Sequence, residues 1–422
     1  MKVLIIGSGG REHAIAWKVQ QSAEVSKIYC APGNGGITQI ADCIDIGVME
    51  FEKLIIFAKK EKIDLVIIGP DAPLVEGIVD EFEKSGIMVF GPNKAAAILE
   101  GSKVFSKELM KKYKIPTADY RVFDKALEAL VYLETSDYPV VLKADGLALG
   151  KGVLICETKE AAVAGVQTIM KEKQFGDAGN LLVVESFMTG PEVSVLAFVD
   201  GKTIKTMTSA QDHKRALDND KGLNTGGMGA FSPSPFYTKE IEEFCNAYIF
   251  KPTVDAMNQE GRPFKGIIFF GLMLTPNGPK VLEYNARFGD PETQVVLPRL
   301  KNDLIEVIIS CIEGTLDNIE LEFEEEAAVC VVLASEGYPS SYEKGAVITK
   351  LESLSAETDC MAFHAGTILK EGNLVTNGGR VLAITAKAKT SVQAREKAYI
   401  GAKYVEFSTK YYRTDIGKAI TN

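Results

Sequence analysis

The sequence predicts an α/β and α+β multidomain protein that opens with a parallel α/β domain. Two observations carry the opening domain. Short, nearly continuous apolar runs, "KVLIIG", "KIYCA", "DLVIIGP" and "GIMVFGP", recur through the first hundred residues, as expected of strands covered on both faces. Amphipathic stretches such as "FEKLIIFAKKEK" lie between them and supply the covering helices. A third observation is length: 422 residues exceed what one hydrophobic core can organise. Changes of texture place the expected boundaries at 1–102, 103–326 and 327–422.

Beyond residue 100 a Lys-rich helix, "SKVFSKELMKKY", leads to "YPVVLKADGLALGKGVLICE", which reads as strand, Gly-rich loop, strand. A helix from about Lys159 follows, then the strands "NLLVVESFM", "EVSVLAFV" and "TIKTMTSAQ". The stretch "DNDKGLNTGGMGAFSPSP" reads as a loop before a long helix. "GIIFFGLMLT" and "PKVLEYNARF" form a hairpin about Pro276-Asn277-Gly278. The acidic run "ELEFEEEAA" connects to a small α+β C-terminal domain. Its strands include "AVCVVLAS" and "RVLAITAKA", with a hairpin turn at Asn377-Gly378-Gly379 and a helix near 391–403.

Composition excludes several function classes. A net charge of −10 argues against a nucleic-acid or anionic-membrane surface, because both need clustered Lys and Arg. The seven cysteines show no C-x-x-C spacing and only three histidines accompany them, so neither a disulfide framework nor a zinc site is indicated. The longest apolar run, "GIIFFGLML", is half a membrane span. With a strand beginning at residue 2, no signal peptide is expected, and a soluble cytoplasmic monomer is the expectation.

The glycines of "GSGGREHA" suggest a phosphate site. They do not make a dinucleotide fingerprint: the third glycine of that motif would stand at Glu12, and "KIYCA" ends without the acid that holds a ribose. What remains is either a helix N-terminus at Gly9, Gly10 and Arg11 that favours an anion, or a tight turn. "GLALGKG" (Gly146 to Gly152) is no Walker A loop, since three residues separate its glycines and Gly152 stands in the hydroxyl's place. It is either a lid carrying Lys151 over a triphosphate or a plain flexible hairpin. In "VLEYNARF" strand alternation puts Glu283, Asn285 and Arg287 on one face. That set reads as hard oxygen ligands for Mg²⁺ beside a bidentate cation, or as a polar edge. Lys143 ends an apolar run just before the Gly-rich hairpin, an awkward place for a surface charge. His13 and His213 are expected to make hydrogen bonds rather than to react.

Taken together, the hairpin, the carboxylate-plus-amide strand and the preceding sheet domain resemble the ATP-grasp superfamily. More closely, "GSGGREHA", "APGNGG", "GPDAPLVEGIVD", "LEGSKVFSK", "KADGLALGKGV", "QDHKRALD", "NTGGMGAFSPSP", "EYNARFGDPETQ" and "FHAGT…TNGGRVL" resemble the phosphoribosylamine–glycine ligase family in order and from end to end. The resemblance implies an ATP-grasp central region with a lid subdomain at about 120–192. The implied reaction joins glycine to 5-phosphoribosylamine through a glycyl phosphate, with ATP as co-substrate and Mg²⁺ or Mn²⁺, in purine biosynthesis. No protein nucleophile is expected. Lys103 and Lys143 match the lysines on the ATP phosphates, and Gly146, Gly150, Lys151 and Gly152 the lid. Glu185, Phe187 and Met188 match the adenine segment, Glu192 the ribose acid, and Glu283 and Asn285 the metal ligands. Arg287, Asp212 and Lys214 fall near the acyl phosphate and glycine, and Asp290 and Glu292 among the substrate residues. The ATP apparatus lies downstream of residue 100, so Gly9, Gly10, Arg11 and Asn34 are expected to hold the phosphate of phosphoribosylamine, with Asp71 near its ribose.

Overall fold

The computed structural model describes residues 1–147 and 152–420. Its first sheet is wholly parallel. Strand Lys2–Gly7 lies between Lys27–Pro32 and Leu65–Ile68, with Asp42–Cys43 and Met88–Phe90 at the edges. The sequential order therefore reverses at the first strand, and the crevice beyond its carboxyl end is where ligands of such sheets usually bind. Here a side chain fills it. Glu12, 1% exposed, lies where a Cβ on Gly7 or Gly69 would have to be. Its carboxylate accepts from Gly9 N at 2.5 Å and from Arg11 Nε at 2.7 Å.

The second region holds two antiparallel sheets. One runs Ile204–Thr206, Glu192–Asp200, Lys265–Thr275, Gly278–Asn285, and the other Tyr120–Phe123, Leu182–Ser186, Val140–Ala144, Val153–Cys156. Leu282 is an extra residue against its partner strand, where Gly271 faces Glu283 and Leu272 faces Val281. Such a bulge re-aims side chains next to it. Helices Lys94–Gly101 and Lys103–Lys112 meet at Ser102, which caps the second by accepting from Phe105 N at 3.0 Å. Asp145 accepts from Val104 N at 3.0 Å and from Ser102 Oγ at 3.1 Å, fastening that helix start to the end of strand Val140–Ala144.

Two expectations for the later chain are corrected. The presumed loop 218–235 contains strands Lys221–Asn224 and Gly229–Ser232, and the latter pairs with Ala327–Ser335. The C-terminal sheet thus recruits Gln211–Asp212 and Gly229–Ser232 from the region before 327. Asn377-Gly378-Gly379 does not close a hairpin either. Asn373–Thr376 pairs with Thr367–Lys370 across Glu371 and Gly372, both at positive φ, whereas Arg380–Ala388 joins the main sheet. Gly378 instead packs against Gly366, where a Cβ would have no room.

The first and last domains meet at a histidine pair. His13 Nδ1 accepts from His364 N at 2.8 Å, and His364 Nδ1 lies 3.1 Å from Thr367 Oγ1. Burial lowers both imidazoles, His13 to about 3, helped by His364, and His364 to about 4. The unfolded chain therefore takes up protons first as pH falls. Stability from each ring is complete above about pH 6.5 and is lost towards its folded value, roughly 2 kcal/mol per ring by pH 5. Urea midpoints should fall over that interval, and His13→Gln should flatten the fall. A wild-type midpoint level between pH 6.5 and 5 would refute the neutral pair. Among the described residues, no helix is long and apolar enough to cross a membrane.

Candidate active site

A cleft of about 840 Å³ opens between the two antiparallel sheets, and residues of all three regions line it. Asp71, Lys103, Lys143, Gly146, Gly152, Glu185, Phe187, Met188, Glu192, Asp212, Lys214, Glu283, Asn285, Arg287, Asp290 and Glu292 are among them. The structure thus brings together sixteen of the residues singled out from sequence. Gly150 and Lys151 lie outside the described residues.

Lysines occupy one end. Lys103 Nζ donates to Gly146 O at 2.7 Å, and Lys143 Nζ donates to the carbonyl of the bulged Leu282 at 3.0 Å. Glu185, 2% exposed, sits diagonally across the strand pair from Lys143 and carries two ion pairs. Its Oε1 lies 2.9 Å from Lys143 Nζ and its Oε2 3.0 Å from Lys107 Nζ. Lys107 was not anticipated, although its i+4 spacing from Lys103 puts both on one helix face. Burial pushes its ammonium down to about 8 against the pull of Glu185. Burial likewise lowers Lys103, opposed by Glu283. Phe187, 38% exposed, follows strand Leu182–Ser186 and leaves an apolar face at the cleft rim.

Acids gather at the other end. Lys214 Nζ lies 3.1 Å from Glu192 Oε2 and 3.5 Å from Glu283 Oε1. Burial opposes the Lys214 charge, but Glu192, Glu283 and Asp212 raise it well above its ordinary value. Asp212 is pushed well up by burial and by Glu292, Glu192 and Glu283, against Lys214. Burial also raises Glu292, whose Oε1 accepts from Ser194 Oγ at 3.1 Å. Glu283 behaves oppositely: burial works against its charge, yet Lys214, Lys143, Lys103 and Arg287 hold its carboxyl below the usual range.

The donor set offers part of a metal's coordination shell rather than an all-protein cage. Glu283 and Asn285 offer hard oxygens two positions apart. Arg287 Nη2 donates to Asn285 Oδ1 at 2.8 Å, and no group of three or more His, Cys, Asp or Glu able to hold a metal occurs among the described residues.

The first-domain corner expected to take the phosphate of phosphoribosylamine is here in contact with the protein's own groups. Gly9, Gly10, Arg11 and Asn34 do not line the cleft. Gly9 N–H is taken by Glu12, and Arg11 N lies 3.4 Å from Asp290 Oδ2. Arg11 also donates to Phe288 O at 3.1 Å, and Gly10 abuts Gln294 Nε2, 2.5 Å from where a Cβ would be. Asn34 is spent on the fold: its amide donates to Ser8 O and His364 O, both at 2.8 Å, and its oxygen accepts from Gly36 and Ile37. Two backbone N–H groups at this helix start thus face the protein's own carboxylates. Asp290 also meets Arg380 Nη1 at 3.3 Å, so it joins first and last domains as well as facing the cleft.

Two antiparallel sheets closing on lysines at one end and a carboxylate–amide pair at the other define an ATP-grasp enzyme, a ligase that spends ATP and uses a divalent metal. The chain belongs to the phosphoribosylglycinamide synthetase family: its N-domain model matches residues 1–100, its ATP-grasp (A) domain model 101–293 and its C-domain model 328–419. Phosphoribosylamine–glycine ligase of Caldanaerobacter subterraneus subsp. tengcongensis is 50% identical over 416 residues, 99% of either chain. That of Halalkalibacterium halodurans is 51% identical over 422 residues, all of this chain and 97% of the relative. The crystal structure of the Thermotoga maritima phosphoribosylamine–glycine ligase superposes with a TM-score of 0.85 at 36% identity, covering 99% of this chain and all of that one. A biotin carboxylase domain from Hydrogenobacter thermophilus, in complex with MgADP and bicarbonate, shares the fold at 18% identity and a TM-score of 0.75, over 97% of this chain and 91% of its own.

Proposed function

We infer that this cleft joins glycine to 5-phosphoribosylamine through a glycyl phosphate, releasing ADP and phosphate and giving glycinamide ribonucleotide for purine biosynthesis. The observation that carries the reading is the single cleft in which Lys103, Lys143, Lys214 and Arg287 face Glu283 and Asn285. ATP lies with its adenine against Phe187 and Met188, its ribose near Glu192 and its phosphates between Lys103 and Lys143. Glu185 acts there by holding lysines. The glycine carboxylate attacks the γ-phosphorus, and Arg287, with Lys214, stabilises charge on the oxygens that pass between them. Glu283 and Asn285 would hold Mg²⁺, or Mn²⁺ in its place, whose charge offsets that of the phosphates. Glu292 and Asp212 offer carboxyl groups to the glycine ammonium. The amine then attacks the acyl carbon and phosphate departs. Phosphoribosylamine enters from the Asp71 side of the cleft. The enzyme on this reading is a cytoplasmic monomer.

The test follows one oxygen. Glycine labelled with ¹⁸O in its carboxylate should deliver one labelled oxygen to the phosphate released at each turnover. Unlabelled phosphate would rule out the acyl phosphate. Turnover with another amine or carboxylate in preference would point instead to a different ATP-grasp ligase.

A further inference from the structure

Glu100 stands near the end of helix Lys94–Gly101, where the first domain hands over to the second. Its carboxylate grips two consecutive residues of the metal-site strand's extension. Oε2 accepts from Ala286 N at 2.7 Å, and Oε1 lies 3.1 Å from Arg287 Nη2. The same Nη2 donates to Asn285 Oδ1 at 2.8 Å, so one nitrogen carries both the ion pair with Glu100 and the hydrogen bond to Asn285. Arg287 Nη1 reaches Phe288 O at 3.3 Å, while Nε is buried without a protein partner. Asp71 Oδ2 lies 3.7 Å from the same Nη2. Without the Glu100 carboxylate, Asp71 is the nearest competing anion and would draw the guanidinium away from Asn285.

We propose that Glu100 is a positioning residue for ligation: it fixes the Arg287 guanidinium beside Asn285 and so ties phosphoryl transfer to the seating of the first domain. The inference rests on the reading of Arg287 given above. A carboxylate that pins both the backbone at 286 and the side chain at 287 leaves the planar fork one orientation. Positioning to within a fraction of an ångström is what the phosphoryl-transfer step requires of the groups around it. The charge on Glu100 is finely poised. Burial pushes its carboxyl up to about 7, Asp71 adds to that, and Arg287 and Arg11 pull it down, with Lys103 also facing it. Protonation removes the charge that holds the fork, so kcat/KM for glycine should decline as pH falls through about 7.

Glu100→Gln keeps an acceptor for Ala286 N but loses the charge opposite Arg287. The expected result is a kcat lowered about 10- to 100-fold, ATP affinity within twofold of wild type, and loss of the pH limb near 7. Glu100→Gln added to Arg287→Lys should cost little more than Arg287→Lys alone, because both act through one guanidinium. A merely structural role would lower melting temperature and ATP affinity together and leave the pH limb in place. Wild-type turnover with an unchanged limb overturns the inference, as does a full multiplicative loss in the double variant. Should Glu100→Gln not fold, Arg287→Lys carries the test by itself, since it must abolish the same limb. Normal turnover in Arg287→Lys would instead bring down the assignment of Arg287, an outcome distinct from failure of Glu100 alone.

Discussion

Glu283→Gln is expected to abolish ligation, with kcat reduced by at least about 1,000-fold, the scale of a lost metal or oxyanion contact. Burial alone would favour the neutral acid, and four cations are arranged to prevent that. A carboxylate kept charged at such a place is kept for a further positive partner, and glutamine offers one oxygen and no charge to it. The fold should survive. Glu283 is 39% exposed towards the cleft, and Lys214 has a second carboxylate partner in Glu192, 3.1 Å away. The measurement is ADP formation from ATP, glycine and phosphoribosylamine generated in place, at saturating Mg²⁺, with a melting curve beside it. Near-normal turnover would sink the assignment of Glu283 as a metal ligand. A collapsed melting curve would show the residue to be structural instead.

What could be read in the sequence follows how local each determinant is. The parallel sheet was legible because doubly covered strands write themselves as apolar runs, as in Val3–Ile6 and Leu65–Ile68. The Asn285–Arg287 contact was legible because strand alternation alone puts those side chains side by side. Apart from the hairpin turn, which closes at Glu371-Gly372, the misses involve distant partners. Gly229–Ser232 is a short run in a glycine-rich stretch, and only its pairing with Ala327–Ser335 makes it a strand. At the Gly9 corner the sequence does not show that Glu12 and Asp290, the latter 279 residues from Arg11, lie against the backbone N–H groups of Gly9 and Arg11. Glu100 and Lys107 were not singled out, being two charges among many in a Lys-rich helical stretch. Nothing local announces that they are buried, at 9% and 3% exposure, against Ala286 and Glu185. Burial of a charge is a tertiary fact.

The second large effect is expected from Glu185→Gln, and it separates two roles for that residue. Sequence resemblance places it in the adenine segment, whereas its two oxygens lie against Lys107 and Lys143. Removing one member of a buried ionic group usually costs about 3–5 kcal/mol, because the charge left behind has neither water nor partner. Two ammonium groups would be left here. Lys107, already pushed down to about 8 by burial, would lose the carboxylate that supports its charge and would shed its proton more readily. The variant should therefore melt well below wild type. Its ATP affinity should weaken further as pH rises from 7 to 9, since each proton lost removes positive charge from the phosphate end. ATP should also raise its melting temperature by more than it raises that of wild type at equal saturation, because the triphosphate supplies the missing anion. Both effects are read by thermal melts with and without ATP across that pH range. If ATP affinity falls while the ligand-free melting temperature and its response to ATP match wild type, Glu185 serves adenine directly and the ion triad contributes nothing.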